Sequence, residues 1–277
     1  MIQTKTPFLS AALSALLMFD GGVALANELN SSDLSILPKA DIYLLGERHG
    51  SPIHHANQAA VTAQIKPRAL VFEMLSPAQV ASAKDVPLND ADALEKAFDW
   101  NATGWPDFAL YAPIFAAAPS AVIYGAAVPI SQIRDAMQLG AAGAFEGDAK
   151  RFGLDLALDQ DEQDTRETYQ AEAHCNALPA EMLPGMVEVQ RLRDVEFSRV
   201  ALAALEATGG PVVVITGNGH ARRDWGMPVY LTAAAPESAT VAIGQLATPP
   251  SEPVFDHWML SEPVKDEEDP CAAFDSN

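Results

Sequence analysis

Residues 41–50 read DIYLLGERHG, Asp41 to Gly50. Asp41 to Leu45 alternates and then thickens into an apolar run, which suits a buried strand. The run stops at Gly46, and two ionisable side chains follow at once, Glu47 and His49. In open α/β sheets ligands bind outside the carboxyl ends of the strands. The decapeptide therefore places a carboxylate and an imidazole where such sheets do their chemistry. Taken alone, the same residues also read as a helix cap at Glu47 and a turn histidine at His49.

Working outward, Pro52 opens a helix over His54–Ile65, which Lys66-Pro67-Arg68 stops. Ala69 to Phe72 is a second apolar strand, and it too ends in a carboxylate, Glu73. Strand, helix, strand over residues 41–73 is a βαβ unit, so the two strands are expected as parallel neighbours. Far along the chain, Val212 to Thr216 is another buried strand, broken by Gly217-Asn218-Gly219 and followed by His220. Gly-x-x-His thus occurs twice, at Gly46–His49 and Gly217–His220, each time after a short apolar strand. A sharp exit from a strand needs a residue that tolerates close backbone approach, which is what glycine provides. If these strands share one parallel sheet, Glu47, His49, Glu73 and His220 emerge at one edge. Such groups suit zinc, manganese, cobalt or iron, and equally acid/base chemistry near neutral pH. Arg222 and Arg223 follow the second copy, placed to neutralise Glu47 or Glu73 or to hold an anion.

Charge and cysteines bound the partners and the compartment. The chain carries 17 Lys and Arg against 37 Asp and Glu, a formal net charge of −20. That balance argues against nucleic acid and anionic lipid as partners. Lys5, the apolar run Phe8–Phe19 and the small residues of Ala24-Leu25-Ala26 read as a signal peptide over residues 1–26, cleaved near Ala26. The run is too short to span a membrane, which takes about 20 apolar residues, and no later apolar stretch is read as reaching that length, so no transmembrane helix is expected. The mature protein is expected in a bacterial periplasm, without a lipid anchor because no cysteine lies near the cleavage site. In that compartment Cys175 and Cys271 are expected to pair as a disulfide. Two free thiols, or a soft metal ligand at Cys175 beside His174, are the alternatives.

Residues 27–265 fit one α/β domain. Further helices are expected over Pro77–Ala83, Asp90–Phe98 (capped by Asn89), Asp107–Ala118 and Ile130–Leu139, and strands over Ala121–Tyr124, Val229–Leu231, Thr240–Leu246 and Val254–Leu260. From Leu154 to Leu205 strand signals vanish, and two long helical patterns appear, Asp161–Ala177 and Pro179–Ala207. The expectation is an α/β fold with a mostly parallel sheet flanked by helices, an all-helical lid insert over about residues 150–207, and an acidic tail over residues 266–277.

Several motifs together resemble a known family. LLGERHGSPIHH (residues 44–55), VFEM (71–74), MLPGMVEVQRLRD (182–194) and GNGHARRDWGMPVYL (217–231) are similar to the ChaN family of haem-binding uptake proteins. That family lies in the Tiki/TraB superfamily, whose signature is paired Gly-x-x-His motifs with a glutamate and an arginine. The resemblance covers roughly Asp41 to Leu231 and keeps the motifs in order. It implies an α/β core with a helical lid, and haem held between the lid and a partner subunit in a homodimer. Many relatives are lipoproteins, and this chain departs from them by lacking the anchoring cysteine. The axial ligand of the haem iron is sought among Tyr111, Tyr169, His174, Met182 and Met186. Each has a plainer reading: packing for Tyr111, core filling for Met182 and Met186, and a place beside a disulfide for His174.

Two functions follow. The leading expectation is haem binding in the service of haem and iron acquisition. The alternative is a metal-dependent hydrolase, a peptidase or esterase. There His49, Glu73 and His220 would ligate manganese, cobalt or zinc, Glu47 would act as base, and Arg222 or Arg223 would stabilise developing charge. A metal-free branch has His49 as the base, similar to the erythromycin esterases, and a scaffold with an idle pocket completes the set.

Overall fold

The computed structural model describes residues 27–32, 34–262 and 271. The expected leader and the acidic tail other than Cys271 lie outside the described residues. Seven strands form one sheet: β1 Asn27–Glu28, β2 Ile42–Leu45, β3 Ala69–Phe72, β4 Val122–Gly125, β5 Val212–Ile215, β6 Thr240–Leu246 and β7 His257–Leu260. Their order is β1-β7-β6-β2-β5-β3-β4, and every pairing is parallel. The fold is α/β, as expected, with the sheet parallel throughout.

The unbroken apolar runs follow from burial on both faces. Tyr43, Leu45, Leu70, Phe72, Val213 and Ile215 point to one side and meet Trp100, Phe108, Tyr111 and Phe115. Phe72 stacks on Phe115 with ring centroids 4.3 Å apart. Ile42, Leu44, Ala69, Val71, Val212 and Val214 point to the other side and meet Phe197, Val200, Ala201 and Ala204. Those four belong to the long helix Leu183–Thr208, so its second half covers the sheet. Pro184 sits in its first turn, where a missing N–H costs nothing. Gly209 ends it at φ 74°, in the left-handed region.

Several sequence expectations are corrected. β2 and β3 are not neighbours, because β5 lies between them with Ile215 in register with both Leu45 and Phe72. A βαβ unit makes its strands adjacent only when no later strand takes the gap, and the wholly apolar Val212–Ile215 takes the most buried place. Val229–Leu231 is part of the helix Met227–Ala234 rather than a strand. There Pro228 occupies the first turn, and Met227, Tyr230 and Leu231 are buried at helical spacing. The helix at residue 91 is capped by Asp90 and not Asn89: its Oδ1 accepts the Ala93 N–H at 3.1 Å. Cys175 and Cys271 form a disulfide with their Cα atoms 5.4 Å apart. Among the described residues no helix is long and apolar enough to cross a membrane.

Candidate functional site

β2, β5 and β3 lie side by side and run the same way, so their carboxyl ends open onto one edge. Gly46 leaves β2 with its N–H on the Ile243 carbonyl, 2.8 Å away. A Cβ at Gly46 would collide with the Asn218 side chain and crowd that same carbonyl. The close approach of the two Gly-x-x-His turns therefore requires a glycine at this point. Asn218 N–H in turn donates to the Glu47 carbonyl at 2.8 Å, tying one turn to the other.

The structure brings Glu47, His49, Glu73 and His220 together in two matching pairs. His49 Nδ1 donates to Glu47 Oε1 at 2.6 Å. His220 Nδ1 donates to Asp194 Oδ1, also at 2.6 Å. Gln190 Nε2 lies 3.0 Å from the same His220 nitrogen, but the shorter, charge-assisted carboxylate bond decides which atom holds the proton. Each carboxylate thereby fixes the tautomer of its imidazole and turns Nε2 inward. Both Nε2 atoms face Glu73 Oε1, from 3.9 Å for His49 and 3.6 Å for His220. The other Glu73 oxygen accepts the Thr216 hydroxyl at 2.7 Å and the Gly217 N–H at 2.9 Å. Glu47 is further held by the Tyr111 hydroxyl, which donates to Oε1 at 3.1 Å, and by His55 Nδ1, 3.2 Å from Oε2.

Burial would raise the Glu47 carboxyl, yet the hydrogen bonds from His49 and His55 outweigh it and hold the group at about 2. Burial pushes Glu73 up as well, but the facing His220 and His49 imidazoles bring it below the usual carboxylate range. Desolvation opposes protonation of His49, and the Glu47 and Glu73 carboxylates override that and raise it. Asp194 is fully buried, and burial lifts it to about 6 against the pull of His220. Two ionised carboxylates and an imidazole that favours its charged form share this edge, an arrangement able to hold and exchange a proton.

Above it lies a cavity of about 720 Å3, bordered by Glu47, His49, Glu73, Gly217 and His220 at its base. Trp105 packs on His49 with ring centroids 4.9 Å apart. The helices Gln160–Ala173 and Leu183–Thr208 contribute Tyr169, Met186, Val189, Gln190, Arg193 and Phe197 to the wall. His174, just past the first of these helices, also borders the space. Its Nδ1 lies 2.8 Å from the Gln170 carbonyl, so that nitrogen carries the proton and Nε2 keeps a lone pair. The volume falls within the roughly 300–1,000 Å3 usual for small-molecule and cofactor sites.

Other expected residues stand elsewhere. Tyr111 is fully buried with its hydroxyl committed to Glu47, and Met182 is exposed outside the cavity wall. Arg222 pairs with Asp224 and lies 3.4 Å over the Trp225 ring, and Arg223 pairs with Asp256. Neither borders the cavity; the long helix supplies Arg193 there instead. His49, Glu73 and His220 meet, but among the described residues no group of three or more His, Cys, Asp or Glu side chains could hold a metal ion. Asp194 and Arg193 were not among the sequence candidates. For Asp194 a signal was present, as Met186, Gln190 and Asp194 stand at four-residue spacing on one helix; for Arg193 there was none.

Comparison with known proteins adds to this geometry. A family model described as haem-binding uptake, Tiki superfamily, ChaN matches residues 34–231. No curated protein matches the chain. Among solved structures, one described as cofacial heme binding to ChaN of Campylobacter jejuni is similar at a TM-score of 0.61 and 18% identity, covering 79% of this chain and 86% of that one. The type III effector HopBA1 follows at 0.44 and 12% identity, covering 80% and 88%. A mutant of the erythromycin esterase EreC in its open conformation follows at 0.42 and 12% identity, covering 78% and 74%.

Proposed function

The chain belongs to the ChaN family of haem-binding uptake proteins in the Tiki superfamily, and from that premise we propose that it binds haem in the periplasm and serves haem and iron acquisition. One observation carries the reading to particular residues. His174 borders the large cavity with Nδ1 held by the Gln170 carbonyl, which leaves Nε2 as a donor for iron. Trp105, Met186, Val189 and Phe197 supply the apolar wall that a porphyrin requires. Haem, when bound, brings an iron whose behaviour is set by its axial ligand and the polarity around it. Tyr169, five residues before His174, is the second candidate ligand. The Arg222 guanidinium lies 5.4 Å over its ring and favours the phenolate, although burial raises the hydroxyl on balance.

The disulfide supports export to an oxidising compartment. A second copy closing over the haem is the partner this reading expects, prompted by the cofacial haem of the C. jejuni protein. The family description speaks of haem uptake and not of hydrolysis, so the haem reading stands ahead of the hydrolase.

Titrating hemin into the purified protein tests the proposal. A Soret shift that saturates at a fixed stoichiometry is expected, and light scattering should register a larger assembly on loading. His174→Ala should move the Soret maximum, whereas Tyr169→Phe should leave it in place; the reverse pattern assigns the iron to the phenolate. Native protein that gives no saturable shift would overturn the haem reading.

A further inference from the structure

Arg193 stands on the long helix Leu183–Thr208 and borders the cavity. In a chain with more than twice as many acidic as basic residues, a guanidinium would ordinarily be expected to sit beside a carboxylate. Arg166, Arg191, Arg199, Arg222 and Arg223 each do so, while Arg68, Arg134 and Arg151, which do not border the cavity, pair with no described carboxylate. Arg193 makes no ion pair or side-chain hydrogen bond with a described residue. It shares the cavity with the His49 imidazole, whose protonation its charge opposes.

The carboxylates at the base of the cavity are turned to other groups. Glu47 is taken by His49, Tyr111 and His55, and Glu73 by Thr216, Gly217 and the two inward imidazoles. Met186, Val189, Arg193 and Phe197 share the cavity side of the same helix at three- and four-residue spacing. The wall thus joins an apolar strip to the fork-shaped Arg193 cation, with Arg48 and Glu262 also on the cavity border. Its complement is a large apolar molecule that carries a carboxylate.

Resting on the haem reading above, we propose that Arg193 is the carboxylate-recognition point of the cavity and holds a propionate of the porphyrin. A planar guanidinium matches a carboxylate through two parallel N–H···O bonds, which a lysine ammonium cannot reproduce. Recognition then selects porphyrins with free propionates over their esters, independently of iron ligation.

Metal-free protoporphyrin IX separates this contact from any axial bond. Native protein should bind the free acid, followed by porphyrin fluorescence, about tenfold tighter than the dimethyl ester. Arg193→Met should remove that preference while leaving ester binding unchanged, and Arg193→Lys should restore part of it. Circular dichroism checks that each variant is folded, and the acid-versus-ester comparison on native protein needs no variant at all. Equal binding of acid and ester by native protein, or a preference that survives Arg193→Met, overturns the proposal even where hemin still binds. Displacement of the free acid by oleate at similar concentration also overturns it, in favour of a fatty-acid carboxylate. Failure of hemin and both porphyrins to bind would instead remove the haem reading, and this inference with it.

Discussion

His54 should make the protein sensitive to mild acid, and the size of the effect follows from its surroundings. Its Nδ1 accepts the Arg48 N–H at 2.9 Å, and Nε2 lies 2.9 Å from the Ser261 hydroxyl. The imidazole is 7% exposed. Burial lowers its pKa from 6.5 to about 4, with Glu47 pulling upward and His55 and Arg48 adding to the depression. Protonation would place a second hydrogen where the Arg48 N–H already points. Above pH 6.5 the imidazole is neutral in both folded and unfolded chains, and its contribution to stability is complete. As pH falls from there towards about 4, the unfolded chain takes up a proton that the folded one refuses, and stability drops. The full loss is about 3 kcal/mol, of which about 2 kcal/mol is gone by pH 5. His54→Asn is the comparison, because its Oδ1 can take the Arg48 N–H and does not titrate. Urea unfolding at pH 7.5 and pH 5 should show the native protein losing about 2 kcal/mol relative to the variant, a midpoint difference on the order of 1 M. Profiles that stay parallel within about 0.5 kcal/mol would refute the argument that this imidazole is held neutral.

Further substitutions probe the site and the core. Tyr111→Phe takes one donor from the buried Glu47 carboxylate and should cost about 2 kcal/mol in urea unfolding at pH 7; a loss below about 0.5 kcal/mol would mean that the hydroxyl contributes nothing. Gly217→Ala sets a Cβ 3.1 Å from His49 Nε2 and 3.9 Å from Glu73 Oε2 at an ordinary φ of −65°. The fold should survive while the His49 imidazole resonances shift in NMR spectra, and unchanged resonances would contradict the geometry. Phe72→Ala empties the stack against Phe115 under β3 and should cost about 3–5 kcal/mol, measured as a fall in the unfolding midpoint at constant slope.

The parts of the fold that were legible in the sequence are those written locally. Ile42–Leu45, Ala69–Phe72 and Val212–Ile215 are each a short apolar run bounded by a turn residue, and all three are buried strands. Ionisable residues stand just past each run, so once the three strands share a parallel sheet Glu47, His49, Glu73 and His220 emerge at one edge. Val229–Leu231 misled because an apolar triplet is compatible with either periodicity, and Pro228 in a first turn decided for the helix.

Which strand lies next to which, and which helix crosses the edge, were decided only by the packed molecule. β5 enters between β2 and β3 from far along the chain, Asp194 reaches His220 across 26 residues, and Tyr111 reaches Glu47 across 64. Apolar pattern and glycine placement act over a few residues and survive in any context, so they can be read from the chain alone. The partners of a buried carboxylate depend on where a helix settles over a sheet, which the whole core determines at once. For that reason Arg193, set at the cavity by that packing, could be recognised only after the helix had been seen in place.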